Sequence, residues 1–141
     1  PVLFGEPNAK CPQEAYLFYS GDELHAVRSG KWKLHLPHEY LTVNGATRAD
    51  GKPANHGNQK PEAMTVSGVR GIASRHGYKV EKLPLSLFDL EADAGESKNV
   101  ADAHPEVVKR LLKVADAARA ELGDGITGAK GKGVRAAGVS E

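Results

Sequence analysis

The stretch FDLEADAGESKNVADAHPEVVKRLL, Phe88–Leu112, decides how this chain is built. Its first half carries the acids Asp89, Glu91, Asp93 and Glu96; its second half opens a helix. Pro105 suits the first helical position, where a missing N–H costs nothing. His104 or Asp102 is placed to cap the helix, and Glu106 favours its positive end. From there Val108, Leu111, Leu112, Ala115, Ala118 and Leu122 form one apolar stripe at helical spacing. Glu106 and Arg110, four residues apart, add about 0.2–0.5 kcal/mol. Gly123 then stops the helix. The spacing predicts a helix over about 105–122.

The acidic half admits three readings. A calcium loop of the EF-hand type wants acids at positions 1, 3 and 5, glycine at 6 and glutamate at 12. Counting from Asp89, position 6 is Ala94, the glycine comes one residue late, and position 12 is Val100. The pattern fails where the ion needs its sharp turn and its bidentate ligand. A catalytic acid pair is equally poorly served, because neighbouring acids on a polar loop are expected to be solvated, with nothing to separate their pKa values. The third reading is a connector: a strand ends at Leu90, turns through Glu91–Ser97, and Asn99–His104 leads into the helix.

Outward from this stretch, LPLSLFDL (Leu83–Leu90) reads as a strand. Upstream, AYLFY (Ala15–Tyr19) and LHAVR (Leu24–Arg28) are strand candidates by propensity. Ser29-Gly30 is a hairpin turn. KWKLHL (Lys31–Leu36) alternates, with Trp32, Leu34 and Leu36 on a core face and Lys31, Lys33 and His35 on a basic one. Residues 1–14 read as a lead-in or linker. From Pro37 to Lys82 no period is sustained, though VSGVRGIAS (Val66–Ser74) is a short strand candidate; a loop this long is unusual inside a compact domain. The tail 123–141, with six glycines in 19 residues, is expected to be mobile, or ordered only by a partner. The fold class is α+β: a small antiparallel sheet of about four strands packed by one long C-terminal helix over 15–122.

Composition narrows the function. The chain has 141 residues, 19 Lys and Arg against 18 Asp and Glu, and a net charge of +1. That balance gives no reason to expect nucleic acid or an anionic membrane as partner. No apolar run is long enough to span a bilayer. The single cysteine, Cys11, excludes an internal disulfide and a cysteine-rich zinc site. GAKGKG (Gly128–Gly133) lacks the spacing of a phosphate-binding loop. The start at Pro1 fits a processed product or an excised piece.

The connector LFDLEADAGESKNVADAHPEVVKRL resembles the ending of formylglycine-dependent sulfatases of the arylsulfatase type, and YSGDELHAVRSGKWKLHLPHEY resembles the strands that open the same C-terminal subdomain. The two blocks occur in matching order and spacing. Ala94 replaces the family's usual proline, and Phe88 its usual tyrosine. The resemblance implies a C-terminal domain of a sulfuric ester hydrolase, packed on an N-terminal catalytic domain and helping to shape its substrate cleft. The family nucleophile arises from Cys-x-Pro-Ser-Arg, whereas Cys11 is followed by Pro12, Gln13 and Glu14. The chain is therefore expected to have no catalytic residue, no metal site and no cofactor of its own. Calcium and formylglycine would belong to the parent enzyme, which the resemblance implies is exported.

Sulfate esters are anions, and cations at a cleft mouth favour their binding. The expected substrate contacts are Lys33, His38 and Tyr40, near the end of the basic strand. His35 and His38 form an H-x-x-H pair, but on a strand-to-loop transition that spacing does not place both on one face, and no third ligand is evident. Arg28 is expected to pair with an acid such as Asp89, and Trp32 to lie in the core. Apolar faces bared by the absence of a catalytic domain would favour self-association. An alternative reading is a stand-alone binding module for sulfated or other anionic glycans, using Lys31, Lys33 and His35.

Overall fold

The computed structural model describes residues 13–47, 51–53 and 78–134. The chain divides into two units, residues 1–36 with 85–141, and residues 37–84.

The first unit holds a four-stranded antiparallel sheet in the order β1 (Tyr16–Ser20), β2 (Glu23–Ser29), β3 (Trp32–His35) and β6 (Ser86–Asp89). Helix α1 (Pro105–Leu122) packs on one face of it. The α+β class expected from the sequence is the one observed.

β3 is the simplest case of pattern becoming structure. Leu34 is fully buried against the helix side, while Lys33 and His35 point the other way. β2 shows why its own sequence does not alternate. Phe18 pairs with Ala26 but Tyr19 pairs with Leu24, so His25 is an extra residue in the ladder. This bulge shifts the phase by one. Leu24 and Val27, three apart, therefore both enter the core fully buried.

The helix stripe is centred on Val107, Leu111, Ala115 and Ala118. Val108 and Leu112 flank it, partly buried, and Leu122, expected on the stripe, is exposed. These residues close over Leu24, Val27, Leu34, Leu36 and Leu87. No side chain caps the helix start; neither His104 nor Asp102 does so. The His104 ring instead lies 4.6 Å from that of Trp32, itself packed on the core.

Two expectations change. LPLSLFDL is not one strand: Pro84 interrupts it, leaving β5 (Lys79–Leu83) and β6 in different sheets. Proline lacks the donor a ladder needs and restricts the residue before it. The glycine-rich segment after the helix, expected to be mobile or ordered only by a partner, is hydrogen-bonded within this chain as far as Gly133. Asp124 and Ala129 exchange backbone hydrogen bonds of 2.9 and 3.1 Å. The Lys132 and Gly133 N–H groups donate to the Ala120 and Glu121 carbonyls at 3.0 and 2.8 Å, satisfying the helix end. Gly131 lies so close to the Leu122–Gly123 backbone that any side chain there would collide with it.

In the second unit, β4 (His38–Thr42) pairs antiparallel with β5, from His38 opposite Leu83 to Thr42 opposite Lys79. Ala46 and Tyr78 are buried with Leu41, Val43 and Val80. So the segment 37–82 has strands at both ends, invisible to a period search because its partners lie some forty residues apart. The strand expected within Val66–Ser74 lies outside the described residues, as does Cys11.

Candidate functional site: the outer sheet face and its acid

The face of the sheet opposite α1 carries Phe18, Ala26, Lys33, His35 and Phe88, brought together by the register Phe18–Ala26–His35 and Lys33–Phe88. Glu96, from the connector, reaches across it. Lys33 Nζ donates to Glu96 Oε1 at 2.6 Å, and His35 Nε2 meets Glu96 Oε2 at 2.6 Å. Burial alone would raise the Glu96 pKa, but the hydrogen bonds and charges of Lys33 and His35 outweigh it and hold the carboxyl below its usual range. An ionised carboxylate only accepts, so His35 Nε2 donates.

The cluster is framed by rings. Lys33 Nζ sits 5.1 Å from the Phe18 ring centre, and the His35 ring meets Phe88 edge-on at 5.6 Å. Glu96 has φ of +53°, the left-handed region that most side chains avoid. The connector holds this conformation with its other acids. Asp93 accepts the N–H groups of Ser97 and Lys98 at 2.7 and 2.8 Å. Asp89 accepts from Lys31 Nζ at 2.6 Å and from the Glu91 N–H at 3.2 Å. Asn99 Oδ1 accepts the N–H groups of Leu87 and Ala101 at 3.0 Å each.

The acids of the opening stretch are thus a scaffold that shapes a connector. The pKa values of Asp89 and Asp93 are lowered, chiefly by the hydrogen bonds from Lys31 and from the Lys98 N–H respectively. Among the described residues no group of three or more His, Cys, Asp or Glu is arranged to hold a metal ion. The carboxylate oxygens of Asp89 and Asp93 accept from Lys31 Nζ and from backbone N–H groups.

Of the three expected substrate contacts, Lys33 lies in this cluster, while His38 and Tyr40 lie on β4 of the second unit, two residues apart and so on one strand face. Tyr40 is exposed, and its hydroxyl donates to Glu81 Oε2 at 2.8 Å. That bond raises the Tyr40 pKa. Lys31 is engaged by Asp89 and lies 4.8 Å over the Trp32 ring. Arg28 does not take Asp89 as expected; its Nε donates to the Gly30 carbonyl at 3.1 Å. The residue that sequence reasoning missed is Glu96. It was expected to be solvated, and no local signal links it to Lys33, 63 positions away.

Against models of known protein families, residues 11–130 match one described as the C-terminal region of aryl-sulfatase. A comparison with individual curated proteins returned no match. Among the described residues no helix is long and apolar enough to cross a membrane.

Proposed function

The chain belongs to the family of aryl-sulfatase C-terminal regions, and we propose that it serves as the non-catalytic domain of a sulfuric ester hydrolase, packing on the catalytic part and helping to shape its substrate cleft. One observation carries this reading: the match runs through every strand of both sheets, the helix and the folded segment after it, as far as Lys130. In the parent enzyme, formylglycine would supply the nucleophile and calcium the charge that binds the sulfate group, both in the catalytic part. Lys33, His38 and Tyr40 are the proposed substrate contacts in this domain.

Two measurements test the reading. The purified 141-residue chain should show no turnover of 4-nitrophenyl sulfate; turnover would contradict a non-catalytic role. In the whole enzyme, His38→Ala, Tyr40→Phe and Lys33→Ala should raise KM for the sulfate ester several-fold with kcat nearly unchanged, because they remove binding alone. An unchanged KM in all three would remove them from the cleft.

The second reading, a module for anionic glycans, draws on the exposed Phe18 ring beside Lys33. It requires a sulfate group to compete with Glu96 for that lysine. Salt-sensitive heparin binding abolished by Lys33→Glu would favour it.

A further inference from the structure

Two pairs in which Asn or Asp precedes glycine lie wholly within the described residues, Asn44-Gly45 and Asp124-Gly125. Their surroundings are opposite. Asp124 is buried, its carboxylate accepts from Leu24, Ile126 and Arg119, and the Gly125 N–H donates to the Asp22 carbonyl at 2.8 Å. Side chain and neighbouring nitrogen are both committed. Asn44 and Gly45 are exposed, in a turn after β4 closed by the Ala46 N–H donating to the Val43 carbonyl at 3.0 Å. The Asn44 N–H donates to Thr42 Oγ1 at 3.1 Å. Among the described residues, neither the Asn44 carboxamide nor the Gly45 N–H takes a hydrogen-bond partner.

Asn99 is exposed too, yet its Oδ1 accepts two N–H groups and its Nδ2 donates to the Leu85 carbonyl and to Ser86 Oγ. It is followed by Val100, whose branched side chain crowds the next nitrogen. Gly45 has no side chain to hinder its nitrogen, and its φ of +61° suits glycine alone. Lys79, opposite Thr42 in the β4–β5 ladder, brings Nζ to 3.3 Å from where a Cβ on Gly45 would sit. A cation so close favours the ionised form of the Gly45 amide.

We propose that Asn44 is a site of spontaneous covalent modification, deamidating through a cyclic imide formed with Gly45. The Gly45 nitrogen gives its proton to hydroxide and attacks Asn44 Cγ. The bond from Cγ to the carboxamide nitrogen breaks, and ammonia leaves with a proton taken from water. Water then opens the five-membered imide at either carbonyl, leaving aspartate or isoaspartate. Ring closure needs only the local opening of a turn held by one backbone hydrogen bond. Isoaspartate carries an extra methylene in the backbone. That lengthening displaces Ala46, which is buried with Tyr78 against Leu41, Val43 and Val80. Modification at Asn44 thus loosens the small core beside the strand that carries His38 and Tyr40. This inference stands independently of the proposed function.

The test is to age the 141-residue chain in mildly alkaline buffer and map its peptides by mass, with enzymatic methylation to mark isoaspartate. Asn44 should gain the amide-to-acid mass difference at least tenfold faster than Asn99, and faster still as the pH rises. Equal rates at the two positions would overturn the assignment. Asn44→Gln, which would need a larger ring, should abolish the isoaspartate signal in this peptide; its persistence would place the reaction elsewhere and overturn the proposal. Lys79→Gln should slow the reaction roughly twofold, a modest change because solvent screens the charge; an unchanged rate would remove Lys79 from the chemistry. In the aged chain the amides of β4 and β5 should exchange several-fold faster while those of α1 stay unchanged. Unaltered exchange in a fully modified chain would overturn the loosening of this core.

Discussion

Asp124 and Glu96 each gather several donors, yet they are built for different ends. Asp124 is buried where the helix turns back to the sheet. Its Oδ1 accepts the N–H groups of Leu24 and Ile126 at 3.2 and 3.1 Å, and its Oδ2 accepts Arg119 Nε at 2.8 Å. Nearby, the Tyr19 hydroxyl donates to the Gly123 carbonyl at 2.8 Å. Every partner is either backbone or already fixed by the helix. Glu96 is about one-quarter exposed, has two side-chain partners, and sits on a residue in an unfavourable backbone conformation. The first acid is a rivet between β2 and the end of α1. The second ties a surface connector to the outer face of the sheet. A shared chemistry of carboxylate and cation thus predicts little until burial and the rigidity of the partners are known.

Removing the rivet should cost far more than cutting the surface tie. Asp124→Ala leaves Arg119 and the N–H groups of Leu24 and Ile126 without their acceptor, and should destabilise the chain by about 2–4 kcal/mol in urea melts. Leu111→Ala, which hollows the core beneath the same helix, should cost a similar ~2–5 kcal/mol. Glu96→Gln should cost about 1 kcal/mol, because solvent screens part of the pair. If Glu96→Gln costs as much as Asp124→Ala, the distinction between the two acids fails. A finer comparison uses the backbone. Glu96→Gly should be more stable than Glu96→Ala by about 1 kcal/mol, since glycine tolerates positive φ. The reverse order would show that Glu96 is not held in that conformation in solution.

Acid titration sharpens the same contrast. Both carboxyl pKa values are lowered on folding. For Asp124, burial opposes ionisation, but Arg119 and the N–H groups of Leu24 and Ile126 prevail; for Glu96, Lys33 and His35 prevail. The ordinary values are about 3.9 for Asp and 4.3 for Glu. Their stabilisation is therefore fully present above pH ~5 and is lost as the pH falls through the folded values. Asp124→Asn should flatten the fall in melting temperature below pH ~4.5 more than Glu96→Gln does. The smallest effect belongs to Lys31→Ala, whose part-buried pair with Asp89 at the sheet surface should change the melting temperature by no more than a degree or so.

What the sequence showed follows from the range of the interactions. Helix α1 was legible to its ends because its stripe is local and Pro105 and Gly123 mark its limits. The β1–β2–β3 meander was legible because its turns are short, although the bulge at His25 hid the phase of β2. The β4–β5 pair was not, since its strands are separated by 36 residues, Val43–Tyr78. The turns after α1 were not legible, because glycine serves flexibility, positive φ and close approach alike. Here Gly123 and Gly128 supply positive φ and Gly131 supplies close approach. At the site, strand alternation placed Lys33 and His35 on one face, but nothing local to Glu96 says that it reaches them.

The measurement that bears most directly on the central claim is light scattering after size exclusion, with the 141-residue chain mixed with the catalytic part as a separate polypeptide. A one-to-one complex in which only the catalytic part turns over aryl sulfate is the predicted result. Two separate peaks at tens of micromolar would contradict it, and would mean that this domain does not pack on the catalytic part.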